Sequence, residues 1–165
     1  MSPRSRTPGP RAADDGPDLK PLFNDLVRLE TELWNAVEGR LRAEHNVTLP
    51  FFELMQIIAR TPGCRVQDIA AELSITVGGT SKIVDRIEAA GYCQRQTNPS
   101  DRRSSIVTLT ASGKRLLPKI SATVDSELRA RLGQKMTERS LTELAKTLTR
   151  LRSGTRGIEA ARKTA

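Results

Sequence analysis

The chain has 165 residues, a formal net charge of +8, 3% aromatic residues and two cysteines. That length suits one domain with a real core, and the basic balance points to a polyanionic partner, with duplex DNA favoured over single-stranded RNA because stacking platforms are few. A disulfide framework, a membrane span and a signal peptide are all excluded from the expectation, since no apolar run approaches a span and the basic N-terminus runs into Pro, Gly and Asp; a soluble cytoplasmic protein is expected.

Residues 1–17 are rich in Pro, Arg, Gly and Asp and have almost nothing apolar to bury, so a disordered tail is expected there. Arg4, Arg6 and Arg11 give that tail the alternative of a basic arm on DNA. Asp18 is a plausible N-cap for a first helix running to Glu44. Leu22, Leu26, Leu29, Leu33, Val37 and Leu41 recur at spacings of three and four, and Phe23, Val27 and Trp34 widen the stripe. So broad a stripe on so long a terminal helix predicts that a partner chain shares it. His45, the sole histidine, falls at the end of this helix, as a C-terminal capping or exposed residue or as a ligand contact.

A second helix is predicted from Pro50 to Arg60, with Pro50 in its first turn. Thr61-Pro62-Gly63 ends it, and Cys64 follows in a loop, a position open to exposure. A third helix, Val66 to Leu73, leads through a tight turn at Ser74-Ile75 to Thr76. Thr76 is a good N-cap for a fourth helix, Val77 to Ala90, stopped by Gly91. Its inward stripe is Val77, Thr80, Ile83, Val84 and Ile87; Ser81, Lys82, Asp85 and Arg86 lie largely outward. Two short helices joined by so short a turn form a helix-turn-helix pattern.

Tyr92 to Gln96 and Ile106 to Leu109 are predicted to be antiparallel strands, joined by a loop of turn formers holding Arg102 and Arg103. Thr110 caps a fifth helix with Pro118 inside it, and Gly133 ends it. A last helix is predicted from Thr137 to Arg152, followed by a frayed basic tail over 153–165. The fold expected is mainly α: a winged helix-turn-helix with a two-stranded β-wing between long N- and C-terminal dimerisation helices. In these terms, 18–152 is one domain, with dimerisation helices over 18–49 and 114–152 and a DNA-binding lobe over 50–113.

An α-helix fits the major groove of B-form DNA, and its first turns meet the base edges. The predicted contacts are Thr76, Gly78, Gly79, Ser81 and Lys82 at the head of the fourth helix, with Arg86 one turn on, facing phosphate. Gly78 and Gly79 each cost about 1 kcal/mol of helix stability relative to alanine. They serve either close approach of a bare backbone to DNA or tight packing against the third helix. Arg102 and Arg103 at the hairpin tip suit a narrow minor groove, which focuses negative potential. Asp101 would brace Arg103 or the turn amides. One histidine, two separated cysteines and no clustered carboxylates leave no metal set, no cofactor loop and no triad, so no enzyme is expected.

These residues resemble the multiple antibiotic resistance regulator (MarR) family of bacterial transcription factors. The resemblance rests on three stretches. They are Leu73-Ser74-Ile75-Thr76 leading to Lys82–Glu88 and Gly91, Asn98-Pro99-Ser100-Asp101-Arg102-Arg103 with its Asp-x-Arg pattern, and Leu109-Thr110-Ala111-Ser112-Gly113. It implies a homodimer with intertwined terminal helices, repressing by binding a pseudo-palindromic operator in double-stranded DNA. It also implies that Ser81, Lys82 and Arg86 contact bases and phosphates, and that Arg103 enters the minor groove braced by Asp101. In such proteins a small effector, often a phenolic or other aromatic acid, lodges between the dimerisation region and the DNA-binding lobe. A comparable pocket here would be lined by Trp34, His45, Phe51, Phe52 and Met55, with Arg95 nearby as the anion partner. Three alternatives remain: a redox-responsive regulator acting through Cys64 beside Arg65, a winged-helix module that binds another protein, and a nonspecific chromosome-coating protein with equal affinity for any duplex.

Overall fold

The computed structural model describes residues 18–98 and 101–164, except for the side chains of Arg102, Arg103 and residues 155–164. The N-terminal tail expected over 1–17 lies outside the described residues. Helix α1 spans Leu19–His45. Asp18 caps it, accepting from the Lys20 N–H at 3.1 Å, and Asn46 ends it in the left-handed region at φ 55°. Helix α2, Leu49–Arg60, begins at once, with Thr48 accepting from the Phe51 N–H at 3.3 Å. The Glu38 carboxylate of α1 accepts from the Leu49 N–H and so fixes the angle between the two helices. Helices α3, Val66–Leu73, and α4, Val77–Ala89, follow.

Strands β1, Cys93–Asn98, and β2, Asp101–Leu109, form a two-stranded antiparallel sheet. Cys93 pairs with Leu109 and Thr97 with Ser105, and the register slips between Thr97 and Asn98. The strands thus reach further into the hairpin tip than the turn formers suggested. Asn98 donates to Ser104 Oγ (3.0 Å), which donates to the Asp101 carbonyl (3.1 Å), so side chains close the tip where the ladder is irregular. Helix α5, Ala111–Leu128, contains Pro118 and passes into a π-helical turn, Arg129–Gly133. Helix α6, Glu138–Thr164, runs past Arg152, where the expected helix stopped. Gly154 and Gly157 are weak helix formers and the last turns have little apolar periodicity, so no local signal marks this extension in the sequence.

The core gathers Leu41 of α1, Leu54 and Met55 of α2, Ile69 of α3, Val84 and Ile87 of α4, Val107 of β2 and Ile120 of α5. Cys64 belongs to it as well, with none of its surface exposed, although its loop position left exposure open. Its carbonyl accepts from the Val107 N–H at 2.7 Å, so the segment before α3 lies against β2 and turns its side chain inward. The apolar stripe of α1 divides in two. Val37 and Leu41 are buried, whereas Leu22, Phe23, Leu26, Val27 and Leu29 remain 39–65% exposed. Leu148 and Leu151 of α6 are exposed too. That much bare apolar surface on one chain is the mark of an unfilled interface.

Candidate nucleic-acid interface

The turn between α3 and α4 is three residues long, and Ser74 takes the left-handed conformation (φ 56°) that reverses the chain. Thr76 then caps α4: its hydroxyl accepts from the Gly79 N–H at 3.1 Å, and its carbonyl accepts from the Thr80 N–H at 2.9 Å. The amides of Val77 and Gly78 have no intrahelical acceptor, as at any helix start. A β-carbon added at Gly78 would meet nothing within 4 Å, and one added at Gly79 would approach only Thr76 Oγ1, at 3.1 Å. Of the two readings of these glycines, tight packing against α3 therefore has no support. Val77, placed in the inward stripe by periodicity, is 54% exposed. Thr80, Val84 and Ile87 make the buried face. Lys82 and Arg86 are exposed and form no ion pair among the described residues.

The wing is bolted to this helix by Arg95. From the middle of β1 its guanidinium reaches Asp85 Oδ1 at 2.6 Å, Glu88 Oε2, and the Ser81 carbonyl and hydroxyl at 3.5 and 3.4 Å. Glu88 also accepts from the Arg95 backbone N–H at 2.7 Å. Burial acts to lower the Arg95 pKa, but the hydrogen bonds to Asp85 and Glu88 outweigh it and hold the guanidinium charged, above its ordinary value. Arg95 is therefore not free for an anionic ligand. Ser81 is half-buried on the wing side of α4, so its hydroxyl serves Arg95, while Lys82 faces out. Sequence reasoning missed this clamp. Ser81, Asp85 and Glu88 fall at i, i+4 and i+7 on α4 and form one acceptor stripe, which was the signal available.

At the base of the wing, the Thr110 N–H donates to the Tyr92 carbonyl (3.1 Å) and its hydroxyl to the Gly91 carbonyl (2.7 Å). Gly91 sits at φ 77°. A β-carbon at Gly113 would lie 2.0 Å from the Tyr92 oxygen, so the start of α5 touches the start of β1 backbone to backbone. At the tip, Asp101 is exposed and its backbone accepts from Ser104. The side chains of Arg102 and Arg103, expected in the minor groove, lie outside the described residues.

The expected pocket residues do not converge. Trp34 and Phe52 line a groove of about 600 Å³ between α1, α2, α5 and α6. Met55 is fully buried in the core. Phe51 packs edge-on against Tyr92, ring centres 5.8 Å apart. His45 is half-buried rather than an exposed cap, with Nε2 2.7 Å from Thr123 Oγ1, whose hydroxyl donates to Glu44 Oε2 at 2.9 Å. The single hydroxyl proton being used on Glu44, His45 is the donor to Thr123. Burial, followed by Asp68 and Glu72, pushes the Cys64 thiol up to about 11, and burial does the same to Cys93. Arg65, considered as the activator of Cys64, pairs with Asp68 instead, at 3.4 Å. Among the described residues no helix is long and apolar enough to cross a membrane, and no cluster of His, Cys, Asp and Glu is fit to hold a metal ion.

A helix pair joined by a three-residue turn, with a second helix that exposes Lys82 and Arg86 and is bolted to a β-hairpin, defines a winged helix-turn-helix regulator of transcription. The MarR family model matches residues 47–105. The HTH-type transcriptional repressor Rv2887 of Mycobacterium tuberculosis is 30% identical over 118 residues, covering 70% of this chain and 84% of that protein. The chain belongs to the MarR family. Solved structures share the fold. AbsC, a MarR family transcriptional regulator from Streptomyces coelicolor, superposes with TM-score 0.76 at 21% identity, covering 92% of this chain and 99% of that one. Sco3205 from the same organism, solved in complex with DNA, gives TM-score 0.76 at 20% identity, covering 91% and 92%. CouR from Rhodococcus jostii RHA1, bound to p-coumaroyl-CoA, gives 0.73 at 21%, covering 82% and 95%.

Proposed function

We propose that the protein is a cytoplasmic homodimeric repressor that reads a pseudo-palindromic operator and leaves it when a small ligand binds. The observation that carries this reading is the face of α4, where Lys82 and Arg86 stand without an ion pair among the described residues beside a bare helix head, while the carboxylates of the same helix are occupied by Arg95. Lys82 is the base-edge contact, with Thr76, Gly78 and Gly79 approaching the backbone and Arg86 on phosphate. Arg102 and Arg103, braced by Asp101, reach the flanking minor groove. The exposed halves of the α1 and α6 stripes support the dimer, since a second copy would cover them. The DNA complex of Sco3205 and the repressor relative support the operator reading, and the CouR complex supports a ligand. No step of this function is catalytic. The redox alternative loses its support with Cys64 buried and its thiol pushed up to about 11.

A titration of the DNA immediately upstream of this protein's gene against scrambled duplex, at two salt concentrations, tests the reading. A preference of about a thousandfold or more is expected of a specific regulator. Equal binding to both duplexes, lost as salt rises, would overturn it in favour of general DNA affinity.

A further inference from the structure

We propose that the groove under α1 takes a lipophilic cation: a molecule with an aromatic or aliphatic body and a positively charged centre. The inference rests on the regulator reading for its consequence, and on the groove alone for its chemistry. The space of about 600 Å³ is within the range of small-molecule sites. Its wall is apolar, with Leu33, Trp34 and Val37 from α1, Phe52 from α2, Val124 from α5 and Leu148 from α6. The polar residues on that wall are Glu30, Glu53 and Gln56, and among the described residues no Lys, Arg or His lines it. An anionic aromatic would meet two carboxylates there and no counter-ion, because Arg95 is held in the wing.

Glu53 is the decisive group. It is half-buried, and its side chain has no hydrogen bond or ion pair among the described residues. Burial pushes its carboxyl above the ordinary value, with no charged neighbour acting against it. A carboxylate taken out of water without a partner is costly, and a cation brought beside it recovers that cost. Trp34 adds the aromatic ring that attracts cations best through its face. Leu26, Leu29 and Leu148 line the groove on its exposed side and belong to the apolar surface that a second copy would cover, whereas Val37 and Phe52 form its buried wall. A ligand there wedges α1 against α2, the helix whose other face supports the core under α3 and α4.

The test uses the full chain and two probes of the same shape and opposite charge, tetraphenylphosphonium and tetraphenylborate. Trp34 is the only tryptophan, so its emission reports the groove directly. Tetraphenylphosphonium is expected to change that emission saturably and to bind about tenfold tighter than tetraphenylborate, despite the protein's net positive charge. Glu53→Gln is expected to remove most of that preference while the far-ultraviolet circular dichroism stays unchanged. Equal or tighter binding of the borate, or an unaltered phosphonium affinity in Glu53→Gln, overturns the inference. So does an emission that ignores both ions and shifts only on dilution, which would mean that a second copy fills the groove. Operator titrations run alongside separate the two readings. Operator affinity with a silent groove refutes only the ligand class; a filled groove without operator affinity upholds the groove and refutes only the regulator.

Discussion

Arg95→Ala removes the bolt between wing and reading helix, and the structure sets the size of the effect. The contact to Asp85 involves a carboxylate that is 60% exposed, and an exposed pair contributes only about 0.5 kcal/mol. The contact to Glu88 is the stronger one, with both side chains half-buried or nearly so, and a charge-assisted hydrogen bond of that kind contributes about 1–2 kcal/mol. Glu88 is not stranded in the variant, because the residue 95 backbone N–H still donates to it. The total expected loss is therefore about 1.5–2.5 kcal/mol, and a double-mutant cycle with Glu88→Gln is expected to return about 1 kcal/mol of coupling. Urea unfolding followed by circular dichroism measures both. A purely structural role would end there. If Arg95 also sets the wing against α4, affinity for the operator falls about tenfold, or 1.4 kcal/mol, at a temperature where the variant is folded, while affinity for scrambled duplex holds. A stability change below about 0.5 kcal/mol with no coupling to Glu88 would refute the bolt. Equal losses on both duplexes would refute its orienting role.

Gly113→Ala must separate the start of α5 from the Tyr92 carbonyl, only 2.0 Å from the new β-carbon, and is expected to cost about 2–4 kcal/mol through overpacking and the lost Thr110–Tyr92 hydrogen bond; an unchanged urea midpoint would contradict the contact. Lys82→Ala is expected to cost about 1–3 kcal/mol of operator affinity and to relax preference at one base step, whereas Arg86→Ala is expected to weaken all duplexes alike and to lower the salt slope by about 1; identical behaviour of the two variants would refute the division of roles. The buried thiols keep their protons to about pH 11, whereas unfolded thiols release theirs near 9, so this contribution to stability is complete below pH 9 and is lost as pH rises from 9 to 11. Cys64→Ser/Cys93→Ser is expected to flatten the decline of unfolding free energy over that window. The native protein is also expected to resist alkylation at pH 8, and rapid labelling of either thiol without denaturant would contradict the burial.

What the sequence made legible was local. The caps at Asp18 and Thr76, the stop at Gly91 and the apolar periods of α2 to α4 each follow from a few adjacent residues, and the helices stand where those signals put them. What it hid depends on which side chains meet across the fold. Cys64 is internal because its carbonyl joins β2, and His45 is half-buried because Thr123 approaches from a helix 78 positions away. Nothing near either residue encodes those partners. The division of labour among the arginines was hidden in the same way. In sequence Lys82, Arg86 and Arg95 are three cations in one basic lobe, and Asp85 and Glu88 look like the counter-ions of the first two.

The structure rearranges those pairs, and the electrostatics of the reading helix follow. Taken alone, α4 carries Lys82 and Arg86 balanced by Asp85 and Glu88, a helix with no net attraction for phosphate from these residues. Arg95 comes from the wing and occupies both carboxylates. The acidic residues are then engaged by the wing, and Lys82 and Arg86 face solvent with no ion pair among the described residues. A carboxylate near a phosphate backbone would otherwise cost affinity, and screening by salt would not remove a contact shorter than the Debye length of about 8 Å at physiological ionic strength. In the proposed complex the two acidic residues of α4 therefore serve DNA binding: they hold the wing, and by accepting Arg95 they would leave Lys82 and Arg86 for the duplex. On this argument Glu88→Gln weakens the bolt on the wing, leaving both outward cations in place. Its operator affinity should fall through the wing alone, with the salt dependence of binding unchanged.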